Sequence, residues 1–247
     1  MRVIDRSPYR NEDGSIGLGD RIRGTWKFGL AWYKESQAQD RLIDHLHAQL
    51  DNTYTLVRDI VLPGLEIPIP MVLVGPTGVH VFYASALRGV FRAKESSWSV
   101  MNNRDRQYRP SLPNLIKRTA LMSRAIHAFL TSKGYQVEDT EPVLFLSDPS
   151  VHVDAIHPAV RIVLTDGADR YIENLYQFPQ LFDVALVKRI SDTLAELKID
   201  PDAPRTQKKF GIGSLQLYRW QWLVLALLVI LQLCMMLIFI LIIFMVT

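Results

Sequence analysis

Cysteine is nearly absent from this chain: of 247 residues only Cys234 carries a thiol. A single thiol forms no disulfide within one chain and no cysteine-based metal site, which fits a reducing compartment. Charge is missing altogether from Trp222 to Val246, where Gln232 is the only strongly polar side chain. At about 1.5 Å per residue, a helix of that length slightly exceeds a ~30 Å hydrocarbon core and can cross it with some tilt. Helices buried in soluble domains rarely stay apolar on every face for so long. An export signal is lacking too: residues 1–30 carry Arg2, Asp5, Arg6, Arg10, Glu12 and Asp13 with no apolar run of signal-peptide length. No Gly-x-Ser-x-Gly element, Walker loop or zinc-ribbon pattern occurs. The run GSIGLGDRIRG (14–24) follows no strand and precedes no Lys-Ser or Lys-Thr pair, so it is no phosphate loop.

What is present orients the span. Lys208, Lys209 and Arg219 precede it and only Thr247 follows, so the Lys/Arg bias keeps the N-terminal part in the cytoplasm. Tyr218, Trp220 and Trp222 stand where interfacial aromatics are expected, and Gln232 offers a bond to a second span, a route to self-association. The expectation is a single-pass, tail-anchored protein with the bilayer as partner through residues 220–246. Net charge is only +3, yet eight of the cations fall between Arg88 and Arg118: Arg88, Arg92, Lys94, Arg104, Arg106, Arg109, Lys117 and Arg118, against Glu95 and Asp105.

Periodicity divides the rest. Residues 1–33 show no clear period and read as a flexible N-terminal extension. Ala38, Leu42, Leu46 and Leu50 recur every four residues, one apolar helical stripe. The period then changes: YTLVRDIVL (54–62), MVLVG (71–75) and VHVFYA (79–84), separated by Pro63-Gly64 and Pro76-Thr77-Gly78, predict a three-strand antiparallel meander. Residues 89–110 read as a long loop. A helix follows to about Lys133, with Ser111 as cap, Pro113 in its first turn and Gly134 at its close. VLFLS (143–147) and VRIVLT (160–165) predict strands, and 169–176 and 179–198 predict helices. Residues 200–219 read as a linker and juxtamembrane segment. The fold class expected for 34–199 is α/β of an α+β kind: a mixed sheet containing the meander, flanked by helices.

The run YTLVRDIVLPG, then VLVGPTGVHVF, Gly89, Trp98, a helix and PVLFLSDP resembles the nuclease-related domain (NERD) family, itself similar to restriction-endonuclease-like nucleases. The resemblance covers residues 35–197, and VLVGPTGVHVF is its most specific piece. It implies a phosphodiester-cleaving fold with an acidic residue opening the strand before the turn and a Glu-x-Lys pair on the strand after it. Two such carboxylates hold Mg²⁺ through hard oxygens, and the i, i+2 spacing places the pair on one face of the strand. Carried onto this sequence, the acidic position falls on Pro70, the Glu position on Tyr83 and the Lys position on Ser85. All three reactive groups are replaced. The expectation is a nuclease-like scaffold without catalytic residues, metal or cofactor; Pro70 is tolerated because strand starts and edges accept a residue without an N–H.

Alternatives remain. An active metal-dependent nuclease would need Mg²⁺ on relocated carboxylates, for which Asp40, Glu66 and Glu95 are the candidates. The run HVDAIH (152–157) has a metal-like spacing but reads as a loop with no third ligand. His45, His47 and His127 are assigned no role. The eight cations are candidate contacts to phosphate, either of nucleic acid or of anionic lipid headgroups, and a protein partner docking near Tyr83 is the third option.

Overall fold

A computed structural model describes residues 1–7, 9–11, 14–29, 31–63, 68–102 and 104–197, with 210–212, 215–217, 227–228, 230–232 and 235 beyond them. The chain divides into two compact units, Met1–Pro201 and Asp202–Thr247. In the second, Phe210–Ile212 pairs antiparallel with Leu215–Leu217 inside the stretch read as a linker. The span expected at 220–246 lies almost wholly outside the described residues. Among the described residues no helix is long and apolar enough to cross a membrane.

The first unit is a mixed α/β fold. Its six-stranded sheet runs β1 (Arg2–Asp5), β2 (Thr55–Ile60), β3 (Ile69–Gly75), β4 (Gly78–Ser85), β8 (Thr140–Leu146) and β10 (Arg161–Leu164) in that spatial order. Only β3 opposes the rest; the other five strands run in one direction. Every residue of β3 and β4 is buried. That is why both strands read as continuous apolar runs: each is covered on two faces. The expected meander is β2, β3 and β4, turned at Pro76-Thr77 with Gly78 at φ 113°, a left-handed conformation that favours glycine.

One core packs helices α2 (Trp32–Gln49) and α4 (Ala168–Leu175) on one face of the sheet through Leu42, Leu46, Ile172 and Leu175. The other core packs α3 (Leu115–Ser132) and α5 (Val184–Ala195) on the opposite face through Ile116, Ile126, Ile190 and Leu194. The same core receives a second, four-stranded sheet: β7 (Tyr108–Pro110), β6 (Ser97–Met101), β5 (Gly89–Lys94) and β9 (Val151–Ile156). Its inward residues Phe91 and Trp98 stack with centroids 4.8 Å apart.

Four expectations need correction. Residues 89–110 are not a loop: they contain three strands, the first two joined by a two-residue turn in which Glu95, at φ 48°, takes the place usually given to glycine. HVDAIH is not a loop either, because 151–156 is strand β9, parallel to β5. The N-terminal extension is structured: β1 adds to the sheet beside β2, and Leu18–Phe28 is helix α1. The α3 helix begins later than expected, with Asn114 as its cap, accepting from the Lys117 N–H at 3.0 Å; Ser111 and Pro113 precede it.

Pro70 does stand near a strand start, but in the sheet interior rather than on an edge. A central proline removes a ladder donor, and the neighbouring strand accommodates the loss. Arg58 pairs with Met71 and Ile60 with Ile69, while Asp59 between them takes φ 51°. The side-chain alternation slips at this point in both strands, so Val57 and Ile60, and likewise Ile69 and Val72, face the same core.

Candidate functional site

The three positions singled out by the resemblance gather at one end of the central strands β3 and β4. Tyr83 and Ser85 lie at the carboxyl end of β4, and Pro70 adjoins Met71, which pairs with Phe82 next to Tyr83. In open α/β sheets the carboxyl edge of parallel strands is where ligands bind. Alternation along β4 sends Val79, Val81 and Tyr83 into the α3–α5 core. The phenol is almost fully enclosed, and its O–H donates to Glu35 Oε1 at 2.8 Å, in the first turn of α2. Arg118 of α3 lies over the ring, 4.7 Å from its centroid. Its Nε is buried and makes no hydrogen bond among the described residues.

Electrostatics raise the proton affinity of both Tyr83 and Glu35. Burial raises the Tyr83 phenol well above its ordinary range, and the Glu35 charge adds to the effect. The phenol is therefore a neutral donor. Burial also raises the Glu35 carboxyl, partly offset by the Tyr83 hydrogen bond and by Arg118. A proline imide, a protonated phenol and an alcohol supply none of the anionic oxygens that Mg²⁺ needs, so these residues do not fit a divalent ion.

Of the candidate relocated carboxylates, Asp40 and Glu95 belong to different elements, α2 and the β5–β6 turn. Asp40 is held by Arg10 at 2.9 Å and by Arg58 at 3.1 Å. Arg58 also lies 3.4 Å from Asp5 and donates to Gln39 at 3.0 Å. Glu95 stands in the β5–β6 turn, and Glu66 lies outside the described residues. Among the described residues no group of three His, Cys, Asp or Glu is arranged as a metal site. Asp59 next to this network is pushed up to about 6, because burial raises it more than Arg58 lowers it.

Half of the basic stretch faces carboxylates within its own fold. Arg88 pairs with Asp148 at 2.6 Å and Arg92 with Asp154 at 2.7 Å; Arg109 pairs with Asp105, and Arg118 faces Glu35. Asp148 is pulled down to about 2, first by the Ser150 hydroxyl and then by Arg88. Arg92 also stacks on Tyr108 at 3.9 Å. Lys94, Arg104, Arg106 and Lys117 make no ion pair among the described residues. Arg104 and Arg106 flank Asp105 in the β6–β7 turn, at the end of the second sheet where β5 begins, and Lys94 ends β5 at the other. The strand β9 sets His152 and Asp154 on its exposed side, but Arg92 occupies Asp154, so the His-x-Asp-x-x-His spacing builds no metal site.

One constellation escapes sequence reading. His80, buried in β4, joins the hairpin turn to the opposite, amino edge of β8: its Nε2 lies 3.2 Å from Thr77 Oγ1 and its Nδ1 2.8 Å from Glu141 Oε2. Arg161 closes on the same carboxylate, and Tyr171 lies 3.3 Å from His80 Nδ1. Burial raises the Glu141 carboxyl, but the bonds from His80 and Arg161 outweigh it and leave it below its usual value. An open cleft of about 450 Å³ beside Glu141 and Arg161 adjoins this network. Apart from Thr77, three residues away, the members of this network, Glu141, Arg161 and Tyr171, are far from His80 in sequence. His45 and His127 engage Asp169 and the Val137 carbonyl respectively.

Compared with known protein families, characterised proteins and solved structures, this chain matches none.

Proposed function

We propose that residues 34–199 form a nuclease-like, restriction-endonuclease-related binding module that does not cleave, held at the cytoplasmic face of a membrane by a single span at 220–246. The observation that carries the reading is the Tyr83–Glu35 hydrogen bond. The position where the resembled family places a metal-binding carboxylate is filled by a phenol already committed to a neighbouring side chain. A buried, neutral donor neither ligates a cation nor generates a nucleophile from water.

The ligand chemistry is phosphate, shared by nucleic acids and anionic headgroups. Lys94, Arg104, Arg106 and Lys117 are its contacts, because the other four cations of the stretch already face carboxylates. Such contacts carry little sequence information and weaken steeply with salt.

The test uses the full chain in nanodiscs. Gel shift of DNA and RNA across a salt series, with neutral lipid in the disc, supports nucleic acid as the phosphate source. Enrichment on vesicles containing phosphatidylserine over neutral ones supports lipid. Neither response, together with cross-linking to one discrete protein, replaces the phosphate reading with a protein partner. Cleavage that requires Mg²⁺ or Mn²⁺ overturns the non-cleaving module and restores a nuclease on relocated carboxylates.

A further inference from the structure

Helix α1 presents an apolar face to solvent. Leu18, Ile22 and Trp26, spaced four apart, are 79%, 61% and 73% exposed. At 3.6 residues per turn these three form one ridge along the helix. The opposite side is held down: Gly24 is buried, and a Cβ there would come within 2.3 Å of the Trp32 ring. The ridge thus cannot rotate inward without breaking the Gly24–Trp32 contact. Arg21 and Arg23 flank it on either side, both exposed, with Arg21 3.8 Å from the Tyr33 ring centroid. Short helices with leucine, isoleucine and tryptophan on one face and arginine beside them lie in the headgroup region of bilayers, apolar face down. Exposed tryptophan also favours that boundary.

We propose that α1 is an interfacial membrane helix: Leu18, Ile22 and Trp26 enter an anionic phospholipid surface, and Arg21 and Arg23 contact its phosphates. The occupant is lipid rather than a second copy because basic residues, not acidic ones, border the ridge. A self-complementary helix contact would set Arg21 and Arg23 against their own counterparts. The inference builds on the proposed membrane attachment, since a domain tethered at a bilayer meets that surface continually. It assigns α1 a role distinct from the span.

The experiment reconstitutes the full chain, with Cys234→Ser, into vesicles with and without phosphatidylserine. A nitroxide is attached at Ile22→Cys or, as an aqueous reference, at the exposed Lys188→Cys of α5. The expected result is an Ile22 label relaxed by oxygen and shielded from a water-soluble nickel complex, with the Lys188 label showing the reverse. Arg23→Gln should lower the ratio of shielded to water-exposed label about fivefold in phosphatidylserine vesicles, since each basic residue near an anionic surface contributes on the order of 1 kcal/mol. Resistance to alkaline carbonate extraction scores the span separately. A shielded Ile22 label on carbonate-extractable chain keeps the α1 assignment and removes the anchor. An Ile22 label as water-accessible as that at Lys188 overturns the α1 assignment, whether or not the chain resists extraction. Shielding that appears equally without lipid, in a detergent-solubilised dimer, assigns the ridge to a second copy and overturns it as well.

Discussion

Tyr83 and Glu35 meet across 2.8 Å, joining the carboxyl end of β4 to the first turn of α2. The contact ties together two elements that come from opposite sides of the main sheet: Tyr83 belongs to the α3–α5 core, whereas α2 packs on the other face. Chemistry and architecture thus use the same atom. Tyr83→Phe should destabilise the domain by about 1 kcal/mol, the usual order for losing a hydrogen bond to a part-buried acceptor. In a double-mutant cycle with Glu35→Gln, measured by chemical denaturation, most of that loss should be shared between the two sites. Additive effects would show that the bond carries no coupling.

Asp59 gives a pH signature. Its folded value is raised to about 6 from an ordinary 3.8, so the folded state holds the proton more tightly than the unfolded chain does. The sign follows: this contribution to stability is fully present below about pH 4 and is lost as pH rises through about 6. Asp59→Asn should remove that loss, of the order of 1–3 kcal/mol, and flatten the difference in unfolding free energy between pH 4 and pH 7. Denaturant titrations at the two pH values decide it; an unchanged difference in the variant would exclude Asp59 as its source.

Trp98 packs flat on Phe91 and is 1% exposed, yet its indole N–H has no hydrogen-bond partner among the described residues. The ring therefore contributes through burial and stacking. Trp98→Ala should cost about 3–5 kcal/mol, and Trp98→Phe much less, because no hydrogen bond is lost with the indole. Equal losses in thermal unfolding would point to an unseen partner for the N–H.

These residues also show what was legible beforehand. The strands β2, β3 and β4, the stripe of α2 and the helix α3 were readable because burial on one or both faces leaves a period or an unbroken apolar run. The second sheet was hidden. Phe91 and Ala93, then Trp98 and Val100, do alternate, but arginine, lysine and serine occupy the solvent face and the β5–β6 turn uses Glu95 rather than glycine. The α1 ridge was missed for the opposite reason: its apolar residues are exposed, so no packing partner in the sequence marks them as a core stripe. Distance in sequence concealed the rest. Glu35 lies 48 residues from Tyr83 and Glu141 lies 61 from His80, and nothing local announces either contact. That Pro70, Tyr83 and Ser85 carry no carboxylate or lysine was visible from the residues alone; how Tyr83 is engaged was not.

The unpaired cations separate phosphate contact from architecture. Replacing Arg104 and Arg106 together by alanine should leave thermal stability nearly unchanged and lower the slope of log K against log salt by about two, one per lost phosphate contact. Arg92→Ala should instead disturb the second sheet, because it releases Asp154 and uncovers Tyr108. A salt slope indifferent to Arg104 and Arg106 would place the ligand elsewhere.

The central proposal is that residues 34–199 form a nuclease-like module that does not cut. The most direct measurement incubates the full chain with supercoiled plasmid, single-stranded DNA and RNA in Mg²⁺ and in Mn²⁺, with a chelator control. The account predicts no cleavage above the metal-free background, and none gained in Asp40→Asn or Tyr83→Phe. Chelator-sensitive cleavage by the wild-type chain that disappears in Asp40→Asn or Glu66→Gln would contradict it.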